Sequence, residues 1–166
     1  MALTITHTVL LADPEEERYK GLSPEHIWPT MLEKAADPID FVPMITESKI
    51  VERYSDGFLR EVLFFGEDKV LERVRPRQDK YRIYFEVVDH PRLTLIYNEL
   101  DRDLSGRFTY TLSTTFSDVY FDVVEDDPGA LRKANDLLFD TASASAAHIA
   151  KIAGERALAS ASETLR

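Results

Sequence analysis

The chain has 166 residues, 44% of them hydrophobic, which is enough to bury a sizeable core, and we expect residues 1–166 to form one domain. Its formal net charge of -10 and sequence pI near 4.9 make the average surface repel phosphate, which argues against a nucleic-acid partner. The absence of cysteine excludes disulfides, thiolate nucleophiles and cysteine-ligated metal sites.

Targeting and cofactor motifs are missing from the sequence. No apolar run reaches the roughly 18 residues of a membrane span, and the N-terminus lacks the features of a secretory signal, so we expect a soluble cytoplasmic protein without membrane insertion. No dinucleotide fingerprint, P-loop or nucleophile elbow occurs. Four histidines lack metal-binding spacing, and we expect neither a metal nor a cofactor: His7, His26, His90 and His148.

The N-terminal part predicts one strand and two short helices. Residues 3–11 alternate β-branched or apolar residues with Thr and His, as a half-buried strand does. Ser23 followed by Pro24 is typical of a helix start, and the helix should reach about Ala36. A second helical turn is expected over residues 38–41. Apolar residues at spacings of three and four give the first helix its buried stripe: Ile27, Trp28, Met31, Leu32 and Ala35.

The middle of the chain predicts a six-stranded antiparallel meander. Turn sequences end in or begin with Gly57, Gly66 and Gly106 and separate short strand-like runs. The segment 118–124 is predicted either to extend the last strand or to cross the end of the sheet. The strands are expected near 46–54, 58–65, 69–76, 80–88, 92–101 and 107–117.

The C-terminal part predicts one long helix. Acidic residues before Pro128 and Gly129 suit a helix N-terminus, and the small polar residues 159–166 are expected to fray. One face of this helix carries a regular stripe: Leu131, Leu138, Ala142, Ser145, Ile149 and Ile152.

Together these elements indicate an α+β helix-grip fold, in which a curved seven-stranded antiparallel sheet wraps around the long C-terminal helix. Small residues in the middle of that helix, Ala142 among them, leave space for a cavity against the sheet. The alternative is that they permit close packing against the sheet or a second subunit.

Several segments resemble the AtaL-like family of the START/Bet v 1-like superfamily. The stretch from Ile27 to Pro43, IWPTMLEKAADPIDFVP, is similar to the family pattern W..L..KA..P..FVP. FLREV at residues 58–62 and VLERV at residues 70–74 follow in the family's order. The resemblance implies a helix-grip fold with a hydrophobic pocket, among relatives that include polyketide cyclases, aromatases and lipid carriers.

Arg60 and Glu72 are the first candidates for chemistry in such a pocket. Each shares its strand face with apolar residues, and the two side chains meet if their strands pair through the Gly66 turn. Functionally, the pair would bind a carboxylate or enolate, or poise Glu72 as a general base. A purely structural salt bridge is the alternative.

Other polar candidates follow from alternation along strands and the long helix. Tyr97 and Glu99 share a strand face with Leu93 and Leu95, and Tyr97 is a candidate catalytic phenol. Glu99 either contacts the ligand or lies in water, and Tyr110 either lines the pocket or bonds within the core. On the helix, Asn135 and Leu138 are predicted to face the ligand, with Asp136 as a candidate acid or base that half exposure explains equally well.

Aromatic side chains supply the remaining ligand-binding candidates. Core filling is the default for each of them, but a subset is expected to line the pocket. They are Trp28, Phe41, Phe64 and Phe85.

The sequence leaves three functions open. The first is a cofactor-free polyketide cyclase, dehydratase or acyl hydrolase, the second a non-catalytic carrier of a hydrophobic ligand, and the third a stress or regulatory domain. We also expect a homodimer, because the alanine-rich side of the last helix and the edge strands suit self-association.

Overall fold

The computed structural model describes residues 2–166 and shows a seven-stranded antiparallel sheet curved around one long helix. The order across the sheet is β1-β7-β6-β5-β4-β3-β2, so β1 and β2 are the edges. This is the helix-grip fold that the sequence predicted. The strands are β1 Leu3–Ala12, β2 Ile45–Tyr54, β3 Gly57–Phe64, β4 Asp68–Arg77, β5 Arg82–Val88, β6 Leu93–Arg102 and β7 Phe108–Phe116.

Helix α1, Pro24–Ala36, begins as predicted at Pro24. The backbone N–H of Ser23 donates to Nδ1 of His26 at 3.3 Å, which satisfies a group that the first helical turn leaves free. The second short helix is a 3-10 turn at Glu17–Tyr19, before α1, whereas residues 38–42 form only a hydrogen-bonded turn. The Pro38 carbonyl accepts from the N–H groups of both Phe41 and Val42 there, so the chain reverses through a single helical turn, as predicted for residues 38–41.

The segment after β7 corrects the prediction for residues 118–124. It forms helix α2, Asp118–Asp126, and so does not extend the last strand. Ser117 caps this helix, because its hydroxyl accepts from the Tyr120 N–H at 3.3 Å. The local cap therefore outweighs the strand propensity of the β-branched and aromatic residues that follow it.

Helix α3, Pro128–Thr164, runs along the concave side of the sheet. The Asp127 carboxylate accepts from the N–H groups of Gly129 and Ala130, as the acidic start predicted. Its first turns are exposed or half-buried, and regular burial of one helix face begins only at Thr141. Leu131 is 37% exposed, so the predicted inner stripe extends too far toward the N-terminus.

The inner face of the sheet and α3 enclose the core. Val62 and Val70 are paired across β3 and β4, with Phe58 and Val74 on the same face. Small residues of α3 allow the helix to approach this surface closely: Ala142, Ala146, Ala150 and Ala153 are all buried. Within residues 2–166, no helix is long and apolar enough to cross a membrane.

Candidate functional site

A cavity lies between the concave face of the sheet, α1, α3 and the segment before β2. The cavity volume is about 60 Å³, room for a few waters. Its apolar walls come from Val42, Met44, Ile45, Phe64, Phe85, Ile96, Leu112 and Leu138. Its polar groups come from Lys34, Arg60, Glu72, Asn98, Tyr110, Thr114, Thr141 and Ser145.

Arg60 and Glu72 form a buried ion pair in the cavity wall. They are direct neighbours across β3 and β4, as the hairpin at Gly66 predicted. Arg60 Nε donates to Glu72 Oε2 at 2.5 Å, and the two residues are 4% and 1% exposed. Arg60 Nη1 also donates a hydrogen bond to the Ala35 carbonyl at 2.6 Å. The Arg60 guanidinium lies 4.6 Å from the centre of the Phe85 ring.

This arrangement gives Arg60 a fixed position. The Ala35 carbonyl belongs to the last turn of α1, whose carbonyls lack partners within the helix. Arg60 therefore connects β3, β4 and α1, and part of its role is architectural. Its cationic group still lines the cavity, where low polarity strengthens any interaction with a bound anion.

Lys34 places a second buried cation beside the pair. The residue is 6% exposed, and Nζ donates to Asn98 Oδ1 at 2.7 Å. Burial, and then the positive charge of Arg60, lower the pKa of Lys34 from 10.5 to about 7, with Glu72 acting in the opposite direction. Lys34 can therefore gain or lose a proton near neutral pH.

Three polar atoms of the cavity have no hydrogen-bond partner among the described residues: Asn98 Nδ2, Tyr110 Oη and Thr114 Oγ1. Burial raises the pKa of Tyr110 above its ordinary value, and the nearby Ser145 hydroxyl and Arg60 charge only partly offset this. Tyr110 is therefore a neutral phenol at physiological pH. Unsatisfied buried groups cost free energy, which a ligand or water in the cavity would recover.

Six residues predicted from the sequence line the cavity. Arg60, Glu72 and Tyr110 supply polar groups, and the helix residue Leu138 closes one side. Of the aromatic candidates, the subset that lines the cavity is Phe64 and Phe85.

Tyr97 and Glu99 lie on the outer face of the sheet, away from the cavity. They share a face, as predicted, but Ile96 and Asn98 occupy the inner one. Glu99 accepts from Arg82 Nε at 2.7 Å, and the Arg82 guanidinium lies 4.4 Å from the Tyr97 ring centre. The alternation of side chains along β6 predicted which residues share a face of the strand. It did not predict which face points toward α3, because both faces of β6 carry apolar residues.

The other candidates lie in the core or at the surface. Trp28 packs edge-on against Tyr81, and Phe41 packs edge-on against His148. Ala142 is fully buried in the helix contact without lining the cavity. Asn135 and Asp136 lie at the surface, because this part of α3 precedes the buried stretch that starts at Thr141.

Lys34 and Asn98 are buried polar residues of the cavity that the sequence did not single out. Lys34 follows Ile27 by seven residues and Met31 by three, so its helical position predicted burial despite its charge. Asn98 alternates with Ile96 and Leu100 along β6. In both cases the available signal was a polar residue within an apolar pattern.

Solved structures with a similar fold include aromatase/cyclases. The Zhui aromatase/cyclase from Streptomyces sp. R1128 is 14% identical, with a TM-score of 0.55 over 85% of this chain and 94% of that one. TTHA0849 from Thermus thermophilus is 11% identical, with a TM-score of 0.56 over 96% and 99%. The di-domain ARO/CYC BexL from the BE-7585A biosynthetic pathway is 17% identical, with a TM-score of 0.56 over 90% of this chain and 45% of that one.

At these identities the structural likeness establishes the fold alone. No curated protein matches the chain. The family model for AtaL, described as acetylaranotin biosynthesis cluster protein L, matches residues 5–159. The matched residues include β3 and β4, which carry Arg60 and Glu72, and all of α3 except its last residues. The chain therefore belongs to the AtaL family.

Proposed function

We propose that this protein binds a small, largely apolar polyketide-like molecule in the cavity and promotes its cofactor-free cyclisation. The observation that carries the proposal is a cluster of charged, amide and phenol groups in a cavity with apolar walls: Lys34, Arg60, Glu72, Asn98 and Tyr110. Membership of the AtaL family and a fold shared with aromatase/cyclases support the same reaction class.

The proposed mechanism uses proton transfer and charge stabilisation. A poly-β-keto chain loses a proton from a carbon between two carbonyls, and Glu72, the one carboxylate among the described lining residues, accepts it. Arg60, held in place by Glu72, stabilises the enolate oxygen. In a triketide the enolate oxygen at C5 then attacks the C1 carbonyl, and the neutral Tyr110 phenol donates a hydrogen bond to the C1 oxygen as it becomes negative. Protonated Glu72 returns its proton to the leaving group, the thiolate of a thioester or the hydroxyl of an acid, and the lactone closes.

The apolar walls have a separate role in this proposal. Phe64, Phe85 and Leu138 restrict a flexible chain to compact conformations, which lowers the entropic cost of ring closure. The cavity volume of about 60 Å³ is small for such a chain, so binding requires the cavity to widen. Tyr97 and Asp136 have no part in the mechanism, since both lie outside the cavity.

A double variant tests the role of the buried ion pair. Replacing Arg60 and Glu72 together by Leu leaves neither member of the pair as an unpaired buried charge, so the fold should survive. We expect cyclisation of a triketide probe, supplied as the free acid and as its N-acetylcysteamine thioester, to fall to the uncatalysed rate. Liquid chromatography with mass spectrometry measures the cyclic product.

The matched control replaces Arg82 and Glu99, the ion pair on the outer face of β5 and β6, by Leu. Its turnover should equal that of the unmodified protein. If the cavity double variant keeps full turnover, the ion pair is structural only. If the unmodified protein binds the probe without accelerating its cyclisation, the carrier function replaces the enzyme function.

Cytoplasmic location and a homodimeric state are part of the same proposal. The family match is to a biosynthetic-cluster protein, and a cytoplasmic location would bring this chain together with the enzymes that supply its ligand. Fluorescence of a tagged chain in its producing cell tests the location.

A further inference from the structure

The cavity contains more positive than negative charge. Lys34 and Arg60 are cations when protonated, and Glu72 is the one carboxylate among the described lining residues. Glu72 is bound to Arg60, and Lys34 Nζ donates to the neutral amide of Asn98. One buried positive charge therefore has no direct ionic partner among the described residues, a costly state in a low-dielectric site.

The atoms around this charge are mainly donors. Asn98 Nδ2 can only donate a hydrogen bond, and Tyr110 Oη, although it can also accept, has a proton to donate. Lys34 Nζ has three protons when charged, one of which Asn98 Oδ1 accepts. Nζ lies 5.8 Å from the Tyr110 ring centre, which places these donors around a shared part of the cavity. Such a set is complementary to the acceptor oxygens of a ligand.

We propose that the ligand presents a carboxylate to Lys34, with Asn98 Nδ2 and Tyr110 Oη as additional donors to its oxygens. This inference rests on the proposed function, because it names the head group of the molecule that the cavity takes. It makes the ligand an apolar-tailed acid, and it distinguishes that ligand from the corresponding alcohol, ester or thioester. The tail then occupies the apolar side of the cavity.

Binding of an acid should be coupled to proton uptake. The groups facing Lys34 that can carry charge are Arg60 on β3, Glu72 on β4 and Tyr110 on β7. The facing residues of β5, β6 and α3 do not titrate: Phe85, Asn98, Thr141 and Ser145. Because the pKa of Lys34 is about 7 without a ligand, a carboxylate arriving above that pH favours the protonated amine.

Calorimetric titration with octanoate and 1-octanol tests the inference. We expect octanoate to bind at least about tenfold more tightly than the alcohol of equal length. Repeating the octanoate titration in two buffers of different ionisation enthalpy should reveal uptake of nearly one proton at about pH 8 and almost none at about pH 6. The alcohol should take up none at either pH.

Variants locate the effect. Lys34→Met should lose the preference for octanoate and the proton uptake while keeping affinity for octanol. Tyr110→Phe, which removes one hydroxyl, should weaken octanoate binding and retain the uptake. Lys49→Met, at an exposed position on β2, is the control and should behave as the unmodified protein.

Equal affinity for octanoate and octanol, or octanoate binding at about pH 8 without proton uptake, would overturn the inference. These results are separable from the test of the proposed function. If octanoate binds with the expected proton uptake but the triketide is not cyclised, the carboxylate site is supported and the proposed enzyme function is refuted. If the triketide is cyclised but octanoate binds no more tightly than octanol, the enzyme function is supported and the carboxylate site is refuted.

Discussion

Lys34 is a charged residue at a position whose helical neighbours are core residues. Ile27 and Met31 on the same face of α1 are buried, and Lys34 joins them with only 6% exposure. Moving an ammonium group from water into this environment opposes folding. A ligand that binds the ammonium group would offset this cost.

Lys34→Met should stabilise the protein, most strongly at low pH. The pKa of Lys34 falls from 10.5 in the unfolded chain to about 7 in the folded one, so between these values the unfolded state binds more protons. Stability of the unmodified protein therefore rises with pH across that window, by up to about 1.4 kcal/mol per pH unit. The advantage of the variant is full below pH 7 and disappears toward 10.5.

Urea unfolding at about pH 6 and about pH 9 measures the difference. Methionine leaves Asn98 Oδ1 without its donor, so the pH slope, and not the absolute value, decides the prediction. Lys49→Met on the surface controls for the general loss of a positive charge. Parallel pH profiles for Lys34→Met and the unmodified chain would contradict a titrating buried amine.

Residue patterns predicted the charged pair of the cavity but not its neighbours. Arg60 and Glu72 were recoverable because a short hairpin determines their register across β3 and β4. Lys34 and Asn98 lie 64 residues apart and meet only in the folded molecule. No local sequence pattern predicts a contact between residues so far apart in the chain. The exposure of Asn135 and Asp136 was equally unpredictable, because it depends on where along its length α3 first packs against the sheet.

At the scale of elements, the hairpin between β2 and β3 depends on Gly57. Its φ of +152° lies at the edge of the region that favours glycine, and a Cβ there would lie 1.9 Å from the Val74 carbonyl oxygen. Val74 pairs with Phe58 on β3, so that carbonyl cannot retreat without disturbing the sheet. The strand that presents Arg60 therefore starts at a position that tolerates no side chain.

Gly57→Ala should destabilise the protein by more than about 2 kcal/mol, through a clash with backbone atoms. Gly66→Ala is the matched control, since it has φ +72° and nothing within 4 Å of the added carbon. That change should cost only the backbone strain, about 1 kcal/mol. Thermal unfolding of both variants gives the comparison, and equal losses would show that the close approach to Val74 is unimportant.

Helix α2 shows where pattern reading fails at this scale. Residues 118–124 are rich in β-branched and aromatic residues, yet the Ser117 cap and the end of β7 produce a helix. Such residues prefer strands only when neighbouring strands are available to pair with them. Phe116, the last residue of β7, pairs with Leu3 and Leu93, the first residues of β1 and β6, so no strand residue lies opposite the segment that follows.

At the scale of the whole molecule, the proposed homodimer has two candidate surfaces. The edge strand β2 carries alternating charges, including Glu47, Lys49 and Glu52, which discourage edge-to-edge pairing. The C-terminal part of α3 is less protected, since Leu158 is 47% exposed beside small residues. Among the described residues, we therefore favour association through α3.

Light scattering should give a mass of twice 19.0 kDa for the unmodified protein. Leu158→Glu should reduce it to the mass of one chain, because it places a charge in the apolar contact. Val51→Glu on the edge strand β2, where Val51 is 52% exposed, is the control and should leave the dimer intact. A single-chain mass for the unmodified protein would refute the dimer.

The proposed function depends on the cavity between the sheet and α3, and a larger side chain at position 141 should fill that cavity. Thr141 lines the cavity, while its hydroxyl donates to the Leu137 carbonyl of its own helix at 2.7 Å. Its replacement therefore breaks no hydrogen bond between elements. Methionine is longer, flexible and a better helix former, so it can occupy the space at a stability change of less than about 1.5 kcal/mol.

Thr141→Met should abolish binding of octanoate and cyclisation of the triketide while the protein remains folded. Thr164→Met, the same substitution at the exposed end of α3, should leave both unchanged. Calorimetry and product analysis measure the two activities, and circular dichroism checks the fold. Undiminished binding in a folded Thr141→Met protein would mean that the ligand binds elsewhere, since the added side chain occupies the space beside the polar cluster.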